Sequence, residues 1–245
     1  MHEQTLHEKN CFLTLTYNNA HLPDDGSLDV SHWQKFAKRM RKKMGKFRFL
    51  HCGEYGDENN RPHYHALIFG QNFEHDQALL TKRDEHELFT SPTLDKLWSD
   101  EDGPIGHASV GTLTWQSCAY VARYSMKKVT GPAADAHYGG RKPEYITMSR
   151  RPGIGSGWIN KYESDVYPWD EIITNGAPSR PPKYYDNEIE KTSPDKIRRV
   201  KSARRLKAAK QEASLNEGYG RSSYDARKAR AIKLERRNSL LRRDI

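Results

Sequence analysis

The 245 residues of the chain suit one large domain, or a domain with an appendage, better than two domains of typical size. Only 35% of the residues are hydrophobic, so part of the chain lies outside a packed core. Charged residues are abundant, and the formal net charge is +9. The sequence holds no apolar run of ~18 residues, its start is too polar for a secretion signal, and its three cysteines form no CxxC pair. We therefore expect a cytoplasmic protein without a membrane partner, a disulfide framework or a zinc ribbon.

The first half of the chain predicts a strand, a helix and a hairpin. Residues 11–17 (CFLTLTY) combine β-branched and aromatic residues and predict a strand. Asp29 or Ser31 can cap a helix that runs to Met44, with an apolar side and a basic outer side. Two further strands, residues 46–54 and 62–70, are joined by a polar loop, which favours a hairpin.

The second half adds further elements of both kinds. The acidic residues 71–104 predict one or two helices inserted between strands. Residues 105–114 predict a strand, residues 115–128 a helix and residues 144–148 another strand, followed by an irregular glycine-rich loop. This order predicts an α+β fold, in which helices pack on one face of an antiparallel sheet.

The positive charge is concentrated at the end of the chain. Residues 196–245 hold 17 Lys and Arg against 5 Asp and Glu, a balance of +12, while residues 1–195 carry −3. We therefore predict a catalytic domain over residues 1–175, a proline-bearing linker over residues 176–195 and a basic tail over residues 196–245, helix-prone or disordered. Such a tail predicts a polyanion partner, and the alternative is a solvated charged helix.

The strand PHYHALIFG carries two histidines that alternation places on one face. His63 and His65 point to the same side, while Tyr64 points to the other. Two imidazoles and one carboxylate form a common open metal site. If the hairpin pairs regularly, Glu54 lies beside the histidines, with Asp57 and Glu58 as alternative carboxylates. An isolated HxH pair is also typical of a half-exposed polar strand edge, so this motif alone does not identify a metal site.

The helix over residues 115–128 carries a second set of reactive side chains. Tyr120, Tyr124 and Lys127 follow at spacings of four and three and share one helical face. Packing of the two tyrosines against the sheet would explain them without chemistry. Beside a metal that polarises a phosphodiester, however, a tyrosine is a competent nucleophile.

These motifs together resemble a known family. GEYG, RPHYHALIFG, the helix with Tyr120, Tyr124 and Lys127, and MSRRPGIGSGW occur in the order seen in replication initiators of gokushovirus-type microviruses, which are HUH endonucleases of rolling-circle replication. The resemblance spans about residues 11–160. It implies His63, His65 and Glu54 as metal ligands, Tyr120 and Tyr124 as nucleophiles, and Lys127 as a helper. Tyr64 departs mildly from the family's bulky hydrophobic residue at the middle of the motif.

The resemblance implies a metal-dependent endonuclease and strand transferase in the cytoplasm of a host bacterium. We expect Tyr120 or Tyr124 to cut the single-stranded DNA origin and form a 5′-phosphotyrosine, with Mg²⁺ or Mn²⁺ as cofactor and zinc as an alternative. Since no phosphate-binding GxxxxGK[ST] loop occurs, a host helicase would unwind the DNA and a host polymerase would copy it. Candidate DNA contacts are the side chains of Arg123, Lys128, Arg150 and Arg151 and the amides of residues 153–157. The alternatives are a plasmid initiator or transposase of the same superfamily, and a non-catalytic nucleic-acid binder.

Overall fold

The computed structural model describes residues 1–56, 59–83, 86–174, 176–219 and 223–239. The chain forms two compact units, Met1–Trp158 and Ile159–Ile245. In the described ranges, no helix combines the length and the apolar character that a bilayer crossing requires.

An antiparallel sheet of seven strands organises the described part of the first unit. The strands are β1 Asn10–Leu15, β2 Arg48–Tyr55, β3 Pro62–Phe69, β4 Ala78–Arg83, β5 His86–Thr90, β8 Ala108–Gly111 and β9 Tyr145–Met148. They follow in space as β4-β5-β8-β1-β3-β2-β9. A separate two-stranded ribbon pairs β6, Ser99–Asp100, with β7, Gly103–Pro104.

The helices of the first unit are short, except for two that pack on the sheet. They are α1 Val30–Met44, α2 Pro92–Leu97, α3 Trp115–Lys127 and α4 Ala134–Tyr138, with one turn of 3₁₀-helix at Gln4–Leu6 and another at Gly131–Ala133. Asp29 caps α1 by accepting a hydrogen bond from the Ser31 amide at 2.8 Å, which resolves the two predicted caps in favour of Asp29. The hydroxyls of Thr114 and Ser117 form a capping box that starts α3.

Helices cover both faces of the sheet, so the prediction of helices on one face was wrong. On one face, Trp33 and Phe36 of α1 join a core that includes Leu13 and Ile68. On the other face, Val121 of α3 packs in a second cluster, formed with the sheet residues Phe12, Cys52, Leu67 and Phe69. The central strands are apolar on both sides, and a second helix is needed to cover the second side.

Residues 71–104 also differ from their prediction. Instead of one or two helices, most of this acidic segment forms the hairpin β4-β5, which extends the sheet beside β8, and α2 supplies only two turns. Acidic composition alone did not reveal this, since the strands alternate β-prone and charged residues along an exposed edge. The glycine-rich loop after β9 is likewise shorter than predicted, because helix α5, Ser156–Lys161, begins within it.

The second unit contains structure where a linker was predicted. Residues 176–195 include β11, Ala177–Ser179, and helix α7, Lys183–Thr192, which buries Tyr185 and Ile189. The remaining elements are α6 Glu163–Val166, β10 Ile172–Thr174, α8 Pro194–Tyr219 and α9 Ser223–Ser239. The domain limits assigned from the sequence, with a boundary at residue 175, stay a prediction.

The start of the basic tail is anchored within its own unit. Ile197 and Val200 of α8 are buried, and the guanidinium of Arg204 binds the carboxylates of Asp170 and Asp186. Tyr167 also donates to Asp186 at 2.6 Å. Burial raises the pKa of Asp186, but the hydrogen bonds from Arg204 and Tyr167 outweigh it and lower the pKa overall.

We expect Arg204→Leu to destabilise the second unit by about 2 to 3 kcal/mol, since two carboxylates lose hydrogen bonds to a charged donor. Because the pKa of Asp186 is lowered in the folded state, its contribution is fully present above the ordinary Asp pKa and is lost as pH falls through the folded value. Denaturant unfolding of both proteins from neutral to acidic pH tests this. The control is Arg205→Leu on the exposed side of α8, and equal effects of the two changes would contradict the assignment.

Candidate active site

The pairing of β2 with β3 assembles the core of the site. The strands pair antiparallel with Glu54 opposite His63 and Cys52 opposite His65, so the predicted hairpin forms with regular register. Because side chains alternate along a strand, Glu54, His63 and His65 emerge on the same face. It is the face that α3 covers.

Three donors converge on one carboxylate oxygen. His63 Nε2 lies 2.7 Å and His65 Nε2 lies 2.8 Å from Glu54 Oε1. The Tyr120 hydroxyl of α3 donates to the same oxygen at 3.0 Å and lies 3.4 Å from His65 Nε2. Glu54 and His65 are buried, while His63 and Tyr120 keep partial access to solvent. The structure thus brings four of the predicted site residues together.

The second ring nitrogen of each histidine is also engaged. His63 Nδ1 lies 3.1 Å from the carbonyl oxygen of Arg61, and His65 Nδ1 lies 3.0 Å from Thr14 Oγ1. Phe12 stacks on the His65 ring with centroids 5.4 Å apart. These contacts fix both ring orientations, as partners behind metal-binding histidines commonly do. Sequence reasoning missed Phe12 and Thr14, whose only signal was their alternation on one face of β1.

The hydrogen-bonding pattern of His63 calls for a second cation. Its Nδ1 faces a carbonyl oxygen and its Nε2 faces a carboxylate oxygen, and both of these atoms only accept. A neutral imidazole has a single N–H, so the arrangement requires either an imidazolium or a metal ion in place of one proton. The ligand atoms of Glu54, His63 and His65 all lie within 4.8 Å of one another. Two imidazoles and a carboxylate suit a divalent metal, so these residues fit one.

The charge state of Glu54 agrees with this geometry. Burial raises the pKa of the carboxyl, but hydrogen bonds from His63 and His65 outweigh it and lower the pKa to about 2. Glu54 is therefore an anion at neutral pH, and it can neutralise a cation or orient a hydroxyl donor such as Tyr120.

Tyr64, between the two histidines, is a core residue. Its hydroxyl donates to the Asp29 carbonyl at 2.9 Å, accepts from the Asp29 amide at 3.1 Å and lies 2.7 Å from the Tyr17 hydroxyl. The polar atom that distinguishes Tyr64 from a bulky hydrophobic residue is thus fully satisfied. His51 is buried on the same face against Trp33, as expected of a structural histidine, with ring centroids 4.0 Å apart. Burial lowers the pKa of His51 well below its usual value.

The other predicted site residues are placed less completely. The side chains of Tyr124 and Lys127, and residues Asp57 and Glu58 altogether, lie outside the described residues. Their roles stay predictions.

The candidate DNA contacts lie on α3 and in the turn after β9. Arg123 is half-buried on α3 and Lys128 is exposed at its C-cap, while Arg150 and Arg151 are exposed in the turn. In the glycine-rich loop, the amide of Gly155 already donates to the carboxylate of Glu3 at 2.6 Å. That amide therefore binds an internal anion in this structure, and the DNA contacts of the four cations stay predictions.

Comparison with known proteins places the chain among phage replication proteins. Residues 10–129 match the family model of replication-associated proteins of the ORF2 type. Similar proteins are Replication-associated protein VP4 of Bdellovibrio phage phiMH2K, 34% identical over 80% of this chain and 62% of the relative, and Replication-associated protein ORF4 of Chlamydia phage 1, 31% identical over 77% and 48%. A third, Replication-associated protein ORF2 of Spiroplasma virus 4, is 28% identical over 77% of this chain and 60% of the relative.

The chain thus spans between about half and three fifths of the length of these relatives. No solved structure matches it significantly. The resemblance to a microvirus-type replication initiator that the sequence motifs predicted is confirmed.

Removing the hydroxyl of Tyr64 tests the packing behind the histidines. We expect Tyr64→Phe to lower the free energy of unfolding by about 1 to 3 kcal/mol, because it leaves the buried partners Tyr17 and Asp29 with unmet hydrogen bonds. The matched control is Tyr145→Phe, since the Tyr145 hydroxyl is buried without a hydrogen-bond partner among the described residues. The control should be neutral or stabilising in the same urea titration, and the reverse ranking would refute this account of Tyr64.

Proposed function

Because the chain belongs to the family of phage replication-associated proteins, we propose that it is a replication initiator that cuts single-stranded DNA through Tyr120. It nicks the phage origin, forms a 5′-phosphotyrosine and rejoins ends during rolling-circle replication in the infected cell. The observation that carries the proposal is the placement of the Tyr120 hydroxyl 3.0 Å from Glu54 and 3.4 Å from His65. A nucleophile thus lies within reach of residues suited to hold a metal.

Glu54, His63 and His65 are the residues that would hold the metal. When bound, a divalent cation such as Mg²⁺ or Mn²⁺ polarises a phosphodiester and offsets the charge that develops on its oxygens. Thr14 and the Arg61 carbonyl keep the two imidazoles turned toward the site. Phe12 and Leu67 bury one side of it and limit access of water.

Tyr120 attacks phosphorus through its phenolic oxygen. A phosphorus–oxygen bond forms to the tyrosine as the bond to the 3′ oxygen of the leaving strand breaks. The phenol loses a proton and the 3′ oxygen gains one, so the step is balanced. Because a phosphate ester replaces a phosphate ester, the bond energy is conserved and a DNA hydroxyl can reverse the reaction.

The second tyrosine gives the initiator a second transfer. Tyr124 follows Tyr120 by four residues on α3, so both rings can serve the same strand face. In this proposal, one tyrosine opens the origin, the other cuts again after one round, and Lys127 stabilises the scissile phosphate. Arg123, Lys128, Arg150, Arg151 and the basic tail hold the DNA backbone, and a host helicase and polymerase act on the opened strand.

The metal requirement is tested by removing ligands and their supports. We expect His63→Ala or His65→Ala to abolish origin cleavage and to leave DNA affinity largely unchanged, since backbone contacts dominate affinity. Thr14→Val should weaken metal affinity about 10- to 100-fold, with activity restored at high metal concentration, because only the support of His65 is lost. Thr16→Val, on the same segment but bonded to the His107 carbonyl, is the control. Full cleavage in excess chelator would exclude the metal.

The nucleophile is tested by mapping the covalent adduct. Phe keeps the ring and removes the oxygen, so Tyr120→Phe should retain the fold and lose the adduct of one transfer step, and the double change with Tyr124→Phe should leave no adduct at all. Mass spectrometry of protein incubated with single-stranded origin DNA measures both results. Tyr145→Phe serves as the control for loss of a buried hydroxyl. An adduct on any other residue would refute the assignment, and its complete absence would favour a non-catalytic binder.

A further inference from the structure

The cations of the first unit are concentrated in one stretch of sequence. Residues 30–53 hold eight Lys and Arg and no Asp or Glu, whereas the rest of residues 1–158 holds 12 against 19, a balance of −7. The stretch includes all of α1 and the first part of β2. An even spread of charge for solubility would not leave the remainder of the unit acidic.

Packing turns these cations outward. The apolar side of α1, with Trp33, Phe36, Ala37 and Met40, is buried against the sheet. Lys35, Lys38 and Lys42 follow at spacings of three and four and form one exposed stripe. Among the described residues, no carboxylate forms an ion pair with any of these three lysines. The stripe is therefore available to an external polyanion.

A cavity at the same helix offers a phosphate a partly enclosed position. Its volume is about 160 Å³, and its lining includes Tyr17, His32, Lys35 and Arg39. Arg39 Nε donates to the Leu97 carbonyl, while its buried Nη2 has no hydrogen-bond partner among the described residues. Asp100 also lines the cavity and lies 3.3 Å from His21. A phosphate oxygen is the kind of acceptor that a buried guanidinium nitrogen lacks here.

We infer that the outer side of α1, with this cavity, binds DNA phosphates on the sheet face opposite Glu54, His63 and His65. The inference rests on the proposed function for the identity of the polyanion. It adds a second contact surface to the domain that carries the reaction, separate from the tail. The surface binds backbone without reading bases, because flexible lysines act as point charges. Affinity at this surface therefore depends on salt and not on origin sequence.

Salt dependence of binding measures this contact directly. The full chain and the variant Lys38→Gln with Lys42→Gln are titrated with an oligothymidylate of about 20 nucleotides, without divalent metal, over a series of salt concentrations. Loss of two phosphate contacts should reduce the slope of log affinity against log salt by about 1.4, since each single-strand contact contributes ~0.7. Adding Lys35→Gln should reduce it by about 0.7 more. The control, Lys82→Gln with Lys96→Gln, removes the same charge from exposed positions elsewhere in the unit and should leave the slope almost unchanged.

The outcomes separate this inference from the proposed function. Equal slopes for the α1 variant and the control would overturn the inference, provided that thermal unfolding shows both variants folded. An α1 variant that still forms the tyrosine adduct but shows the reduced slope supports both ideas. A reduced slope in a chain that never forms an adduct would support the α1 surface and reject the nicking reaction.

Discussion

The antiparallel pairing of β2 with β3 is the constraint on which the first unit depends. With Glu54 opposite His63, the period of two places the carboxylate and both imidazoles on one face and Tyr64 on the other. A slip of one residue would turn the histidines into the apolar core and Tyr64 out of it. The hydroxyl of Tyr64, bonded to Tyr17 and Asp29, opposes such a slip. One buried phenol therefore helps to set the register of the polar site on the other face.

The two faces of the sheet have different chemistry because two helices cover them differently. α1 lays an apolar side on one face and keeps its cations outside, so that face is a dry core beneath a basic surface. α3 covers the other face only in part, and its Tyr120 reaches over the polar end of β2 and β3. The site thus lies beside apolar packing that holds its rings, yet His63 and Tyr120 remain partly accessible. Such a border position suits a reaction on a bulky, charged strand.

Local sequence patterns predicted most of the first unit, while composition misled where patterns were weak. The strands at β1, β2 and β3 and the helices α1 and α3 have strong periodicity and clear caps, and they form close to the predicted limits. Residues 71–104 were assigned by their acidity, which says little about backbone conformation, and they form an edge hairpin. Residues 176–195 were assigned by their prolines, yet α7 forms after Pro182, where proline is well tolerated at a helix start.

The sequence by itself determined which residues share a face: His63 with His65 by alternation, and Tyr120 with Tyr124 and Lys127 by helical spacing. It also determined the motif order that identifies the family. Only the tertiary structure decided that Tyr120 meets Glu54 and His65, that Thr14 and Phe12 support His65, and that α3 and α1 lie on opposite faces. Periodicity records a side chain's direction within one element. Contacts between elements depend on sheet order and on the apolar area each face must bury, and these are properties of the whole fold.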